Sequence, residues 1–241
     1  MQLSPAAVED QPVFPGLIDP ARLALNGTQL HREPFPFLIA GGQLPEHARS
    51  GLREDFPRYM GAGYFPYADA DCGPAVRRLV AELTSASFAD ALGHALGVEK
   101  LSEFPTLVTL CRSLNKRHGT IHTDSKSKVA SALLYLNDSW PETSDGCLRL
   151  LRRIDNIDDL LVPEIKPVYG NMVAFKRADN SFHGHLPFEG ERRVIQVAWL
   201  TSEEEKQRKT RRGRASRFLK WLLGKLDRRH GAERGRNAFH R

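Results

Sequence analysis

Between residues 104 and 200 the chain is a succession of short β-prone runs separated by turn residues: FPTLVTLCRSL, GTIHTD, KVASALLYLN, GCLRLLR, NMVAFKR, SFHGHL and RRVIQVAWL. Seven such runs in about 100 residues must fold back on one another, because no run is long enough to bury its apolar face alone. The residues before them read differently. PAVRRLVAEL (74–83) has helical spacing through Val76, Leu79, Val80 and Leu83, with Pro74 suited to a first turn. Ser87 is placed to cap a second helix, FADALGHALG, that ends at Gly97. A short strand is expected at 37–39 and a helix from near Pro45. GYFPYADADCGP (63–74) reads as a loop, and IDNIDDLLVPEI (154–165) as a loop with a helical turn. Helices first and strands afterwards indicate a mainly β, α+β chain: a sandwich or jelly roll with flanking helices. The expected division is an irregular arm (1–33), a helical support region of the same domain (34–102), a jelly-roll core (103–202) and a basic tail (203–241).

The net charge of +6 is unevenly spread. Residues 206–241 hold 14 Lys and Arg against Asp227 and Glu233, a net +12, which leaves the preceding 205 residues at −6. An acidic body speaks against nucleic-acid binding by that body. Within the tail, Phe218, Leu222 and Leu226 follow i, i+4, i+8, with Leu219, Leu223 and Trp221 beside them. Such a basic amphipathic stretch docks on the core or a partner, or lies on an anionic membrane surface through 206–229; nucleic acid ranks last. The segment MQLSPAAVEDQPVF lacks the basic flank and apolar core of a signal peptide. No run reaches the roughly 18 apolar residues of a membrane span. Cys72, Cys111 and Cys147 are odd in number and form no C-x-x-C pair, so they are expected as reduced thiols. The resulting expectation is a cytoplasmic protein, peripheral at the inner face of a membrane if the tail binds one.

Chemistry gathers in the β region. His122 and Asp124 form an H-x-D triplet, His183 follows 61 residues later, and Arg192 and Arg193 come about ten residues after that. Nine histidines and 14 aspartates make the triplet alone unremarkable by composition. Two histidines and a carboxylate on one face of a metal, with three positions open, suit non-haem Fe(II) oxygenases. On a strand, residues i and i+2 point the same way, so His122 and Asp124 can face one interior.

The wider pattern resembles the iron(II)- and 2-oxoglutarate-dependent oxygenases, in particular their prolyl-4-hydroxylase-like branch. The markers are HTD at 122–124, YLN at 135–137 with Trp140 following, GCLRL at 146–150 and GNMVAF at 170–175. His183 to Pro187 then forms H-x-x-x-P, followed by GERRVIQVAW. The resemblance covers roughly 103–201 well and 34–60 loosely, and implies a double-stranded β-helix core. It implies His122, Asp124 and His183 as iron ligands and Fe(II), 2-oxoglutarate and O2 as cofactor and cosubstrates, with ascorbate an admissible accessory. The implied reaction hydroxylates an unidentified substrate and decarboxylates 2-oxoglutarate to succinate and CO2. That substrate is a protein side chain, a saccharide or lipid-linked group, or a small metabolite. The carboxylate of Asp124 argues against the halogenase variant.

Each doublet leaves a choice. His183 and His185 share strand parity, which cannot separate them; in the resembling family the distal histidine has proline four residues on, which implies His183 as the ligand and leaves the role of His185 open. In the resembling family an arginine grips the distal carboxylate of 2-oxoglutarate. Counting six residues back from Trp199 along one strand face gives Arg193, while counting forward from the distal histidine gives Arg192. The strand count is preferred, because a paired strand cannot slip by one residue without turning its faces over. Tyr135 matches a position whose hydroxyl reaches the same carboxylate. Arg149, Arg152, Lys126 and Lys128 are a candidate basic rim, and Asn180 a candidate support for His183. Two other readings compete: a catalytically silent jelly roll tethered by its tail, and a cupin-like metalloenzyme that needs no arginine at that strand.

Overall fold

The computed structural model describes residues 16–24, 27–59 and 61–213. Three α-helices precede most of the strands: α1 (Arg49–Asp55), α2 (Pro74–Leu83) and α3 (Ala86–Leu96). In α2, Pro74 occupies the first turn and Val76, Leu79, Val80 and Leu83 are all buried, as the spacing predicts. The cap of α3 is Ser85, not Ser87: the Ser85 hydroxyl accepts the Phe88 N–H, which puts Ser87 inside the first turn. Gly97 closes α3 in the left-handed conformation (φ 67°), where a side chain would be strained. A further helix, α4, covers 203–213.

Nine strands form two antiparallel layers: β1 (Gln29–His31), β2 (Phe37–Ala40), β3 (Tyr64–Pro66), β4 (Thr106–Leu114), β5 (Lys128–Tyr135), β6 (Arg149–Leu151), β7 (Met172–Lys176), β8 (Phe182–Gly184) and β9 (Gly190–Leu200). The larger sheet runs β1-β2-β7-β5-β9-β4-β3, and the smaller pairs β6 with β8. Single bridges widen the small layer, His122 to His183 on one side and Leu148 to Ile165 and Leu151 to Leu160 on the other. The two layers make the expected jelly roll. The region 34–102, expected as a helical support, also gives the large sheet β2 and β3, and the arm gives it β1.

The pleat of the large sheet separates two cores. Ala132 and Leu134 of β5, with Ile195, Val197 and Trp199 of β9, pack on Leu52, Leu79, Phe88 and Leu92 of the helices. Leu133, Tyr135 and Val194 on the other face pack with Leu148, Leu150 and Ile165 of the small layer. The helices therefore seal one side of the sheet, and the space between the two sheets is where a cavity can form.

The amphipathic stretch Phe218–Leu226 lies outside the described residues, as does most of the 206–229 segment expected to meet a membrane or partner. Its described beginning is docked, since Gly213 of α4 lies so close to Pro66 that a Cβ there would stand 2.4 Å from the proline ring. No described helix is long and apolar enough to cross a membrane.

Candidate active site

The His122–His183 pair is built by backbone pairing. Each residue's N–H donates to the other's carbonyl at 3.0 Å, which sets the two side chains on one face of the small layer, with ring centroids 4.4 Å apart. Residues 61 positions apart in sequence are thereby fixed as neighbours. His122 is an isolated bridge and GTIHTD does not form a regular strand, so strand parity is not what brings Asp124 inward. Asp124 is turned in by β5: Ser131 donates to one carboxylate oxygen and Lys128 to the other, both at 2.6 Å.

His122, Asp124 and His183 each offer a ligand atom, and these atoms lie within 4.8 Å of one another. In each histidine Nδ1 faces a backbone carbonyl, Thr120 for His122 at 2.8 Å and Ser181 for His183 at 2.9 Å. A donated Nδ1–H fixes the tautomer that leaves the Nε2 lone pair for a metal. Burial pushes the His183 imidazole down to about 4, with Asp124 opposing, so it is neutral at neutral pH. Burial alone would push the Asp124 carboxyl up, but Lys128, His183 and the Ser131 hydrogen bond outweigh it and hold it below the usual range. Two imidazoles and a carboxylate fit a divalent metal of the Fe(II) kind.

These groups line a cavity of about 470 Å³ between the sheets. Asn180 does not support His183, for it donates to the Pro34 carbonyl. His185 lines the same cavity, but its ring rests on Gly119 and its Nδ1 faces the Leu186 carbonyl, so it stands apart from the three-residue cluster. Burial, and next the charge of Arg192, push His185 down to about 4 as well.

The arginine in the cavity is Arg192. It is 1% exposed; its Nε donates to the Gly146 carbonyl at 2.8 Å and its Nη2 to the Tyr135 phenol at 3.3 Å. The expectation for Arg193 is corrected: its guanidinium pairs with Glu191, and its backbone N–H donates to Asn137. The pleat was read properly, with Arg192, Gln196 and Ala198 on one face and Arg193, Ile195, Val197 and Trp199 on the other. The error lay in the direction of Trp199, which packs on the helices instead of facing the cavity. A bulge accompanies the doublet, where Arg192 and Arg193 together oppose the single residue Arg112 of β4.

Tyr135 stands fully buried beside Arg192, its phenol oxygen 3.3 Å from the guanidinium. Sequence reasoning missed Tyr64 of β3, which lines the cavity and also accepts from Arg192. Burial pushes both phenols up, and the Arg192 charge opposes it. The expected rim divides. Lys128 lines the cavity, whereas Arg149 pairs with Asp158 and Glu164, and Arg152 with Asp159.

Residues 109–201 match the family model described as the 2OG-Fe(II) oxygenase superfamily. No curated protein matches the chain. In shape the chain is similar to a prolyl-4-hydroxylase from Pseudomonas putida, at 19% identity and TM-score 0.49, with 75% of this chain and 96% of that one covered. It is also similar to a prolyl 4-hydroxylase from Phytophthora capsici, at 20% identity and TM-score 0.47, covering 70% of this chain and 60% of that one. A third is HygX from Streptomyces hygroscopicus, solved with nickel and 2-oxoglutarate bound, at 14% identity and TM-score 0.42, covering 69% and 83%. The His-Asp-His cluster lies inside the matched span, so over residues 109–201 this chain is similar to the 2OG-Fe(II) oxygenase superfamily.

Proposed function

We propose that the chain hydroxylates an organic substrate at the expense of 2-oxoglutarate, with His122, Asp124 and His183 holding Fe(II) and Arg192 holding the cosubstrate's distal carboxylate. The observation that carries the cosubstrate assignment is the state of Arg192. Its guanidinium is buried, and among the described residues its partners are a carbonyl and two phenols, none of them a carboxylate. A cation taken out of water costs several kcal/mol unless an anion or a full set of acceptors compensates. An anion entering the cavity relieves that cost, and a planar guanidinium fork suits a carboxylate.

Bound Fe(II) supplies the redox chemistry that couples O2 and 2-oxoglutarate to succinate, CO2 and an oxygen atom delivered to the substrate. The protein's own part is to position. Ser131 aims the Asp124 carboxylate, and the Thr120 and Ser181 carbonyls aim the two imidazoles. Arg192, Tyr135 and Tyr64 fix the far end of the cosubstrate, while the apolar walls Leu133 and Leu148 keep the cavity partly dry. The test is succinate formation from 2-oxoglutarate by full-length protein with added Fe(II), with and without Asp124→Ala. Succinate that needs Fe(II) and is abolished by the substitution supports the reading. No succinate from the parent, together with no Fe(II)-dependent binding of 2-oxoglutarate, overturns it.

A further inference from the structure

The cavity is more cationic than a dianionic cosubstrate requires. Its charged lining comprises Arg117, Lys128, Arg192 and Lys209 against the lone carboxylate of Asp124. On the reading above, Arg192 is assigned to the cosubstrate, and Asp124 is shared between Lys128 and the metal. That leaves Lys209 and Arg117, which have no carboxylate partner among the described residues.

Lys209 comes from α4, outside the span matched by the family. Its ammonium donates to the Ser125 hydroxyl at 2.9 Å, just after the H-x-D triplet. The carboxylate nearest to it along the helix, Glu205, is already paired with Arg208. Burial and the neighbouring Lys128 charge both act against the Lys209 ammonium. Two cations thus share a partly desolvated cavity mouth, and since Lys128 is already paired with Asp124, it is chiefly the Lys209 ammonium that an incoming anion relieves. The arrangement is also held in place. Gly213 packs directly on Pro66 of β3, and only a residue without a side chain allows that approach, so α4 presents Lys209 to the mouth from a fixed seat.

We infer that the primary substrate is anionic, carrying a phosphate or carboxylate group that docks on Lys209, Lys128 and Arg117 at the cavity mouth while its reacting carbon faces the metal cluster. This rests on the oxygenase reading and names the substrate class for it. The ammonium of Lys209 acts as a steering and positioning charge, as point charges do toward phosphate.

The test uses full-length protein loaded anaerobically with Fe(II) and 2-oxoglutarate, so that Arg192 is occupied. Inorganic phosphate and acetate are then titrated at constant ionic strength, with binding heat as the readout. Saturable binding in the parent, weakened about ten-fold by Lys209→Ala and restored by Lys209→Arg, is the expected result for the loss of one ion contact. Tighter phosphate than acetate assigns a phosphate-bearing substrate, and the reverse order a carboxylate-bearing one. The inference is overturned if neither anion binds the parent saturably, or if both bind parent and Lys209→Ala alike. Titrating 2-oxoglutarate and phosphate separately into the Fe(II)-loaded protein separates the two readings. If 2-oxoglutarate fails to bind there while phosphate still binds in a Lys209-dependent way, the cosubstrate reading falls and the anion site stands.

Discussion

Arg192 and Tyr135 meet in the cavity floor, the guanidinium 3.3 Å from the phenol oxygen and 5.1 Å from the ring centroid. They belong to neighbouring strands, β9 and β5, whose register sets Tyr135 opposite Val194, two residues from Arg192 on the same face. The phenol accepts from the arginine and covers one side of it, leaving the rest of the fork for a ligand. Arg192→Ala is therefore expected to weaken 2-oxoglutarate binding at least about 100-fold, the cost of leaving a buried carboxylate unpaired. Arg193→Ala removes a partner of Glu191 outside the cavity and is expected to change 2-oxoglutarate binding less than about two-fold, since Glu191 itself is exposed. Anaerobic equilibrium binding with Fe(II) present measures both. Equal losses in the two variants would reverse the assignment.

Tyr135→Phe keeps the ring that packs on the arginine and removes the acceptor. The expected result is an affinity for 2-oxoglutarate lowered by about three- to ten-fold, the worth of one neutral hydrogen bond. Unchanged affinity would reduce Tyr135 to a packing residue.

Ser131 is fully buried on β5 and donates to Asp124 at 2.6 Å. Ser131→Ala is expected to lower Fe(II) affinity about 10- to 100-fold, the usual cost of losing a group that orients a metal-bound carboxylate. Asp124→Ala is expected to abolish binding at micromolar metal. Metal titration of the apoprotein reads both, and an unchanged Ser131→Ala constant would show that Lys128 alone aims the carboxylate.

Gly119 has φ 99°, and a Cβ on it would fall 2.4 Å from two atoms of the His185 ring. Gly119→Ala therefore strains the backbone and collides with a ring that has little room to move. Destabilisation of about 2 kcal/mol or more is expected, beyond an ordinary surface exchange. Chemical denaturation measures it, and a change below about 0.5 kcal/mol would show that His185 swings freely.

Much of the site was legible before the fold was known. The strand runs announced themselves through β-branched residues between turns, and His122, Asp124 and His183, which the fold brings together, through the family resemblance of their spacing. The rest depended on long-range packing. The pleat told Arg192 from Arg193, but which face looks inward was decided by helices that cover Trp199, over 100 residues away in sequence. Tyr64 sat in a stretch read as loop because β3 is only three residues long and ends in Pro66, an edge position that tolerates proline. Lys209 looked like one more charge in a basic tail, and only the docking of α4 distinguishes it from its neighbours. Ser85 displaced Ser87 as the helix cap by two residues, a boundary that local pattern alone resolves poorly.

Two imidazoles are buried neutral beside the metal site, and that sets how metal-free protein responds to acid. His183 and His185 are each pushed down to about 4, chiefly by burial, from the 6.5 of a solvated histidine. Between those values the unfolded chain takes up protons that the folded chain does not, so stability is complete above pH 6.5 and is lost as pH falls toward 4. For His183, the more deeply buried of the two, the loss is on the order of 3 kcal/mol. Fe(II) held as proposed would occupy the His183 lone pair and compete with its proton, so the metal-loaded protein should hold its stability further into acid before releasing the ion. The measurement is the thermal midpoint of apoprotein and Fe(II)-loaded protein from pH 7.5 to 4.5 under anaerobic conditions. A falling apoprotein curve, shallower in His185→Gln, is expected. A flat one would mean that both rings accept protons in the folded state, with solvent reaching further into the cavity than the His183 burial of 7% exposure implies.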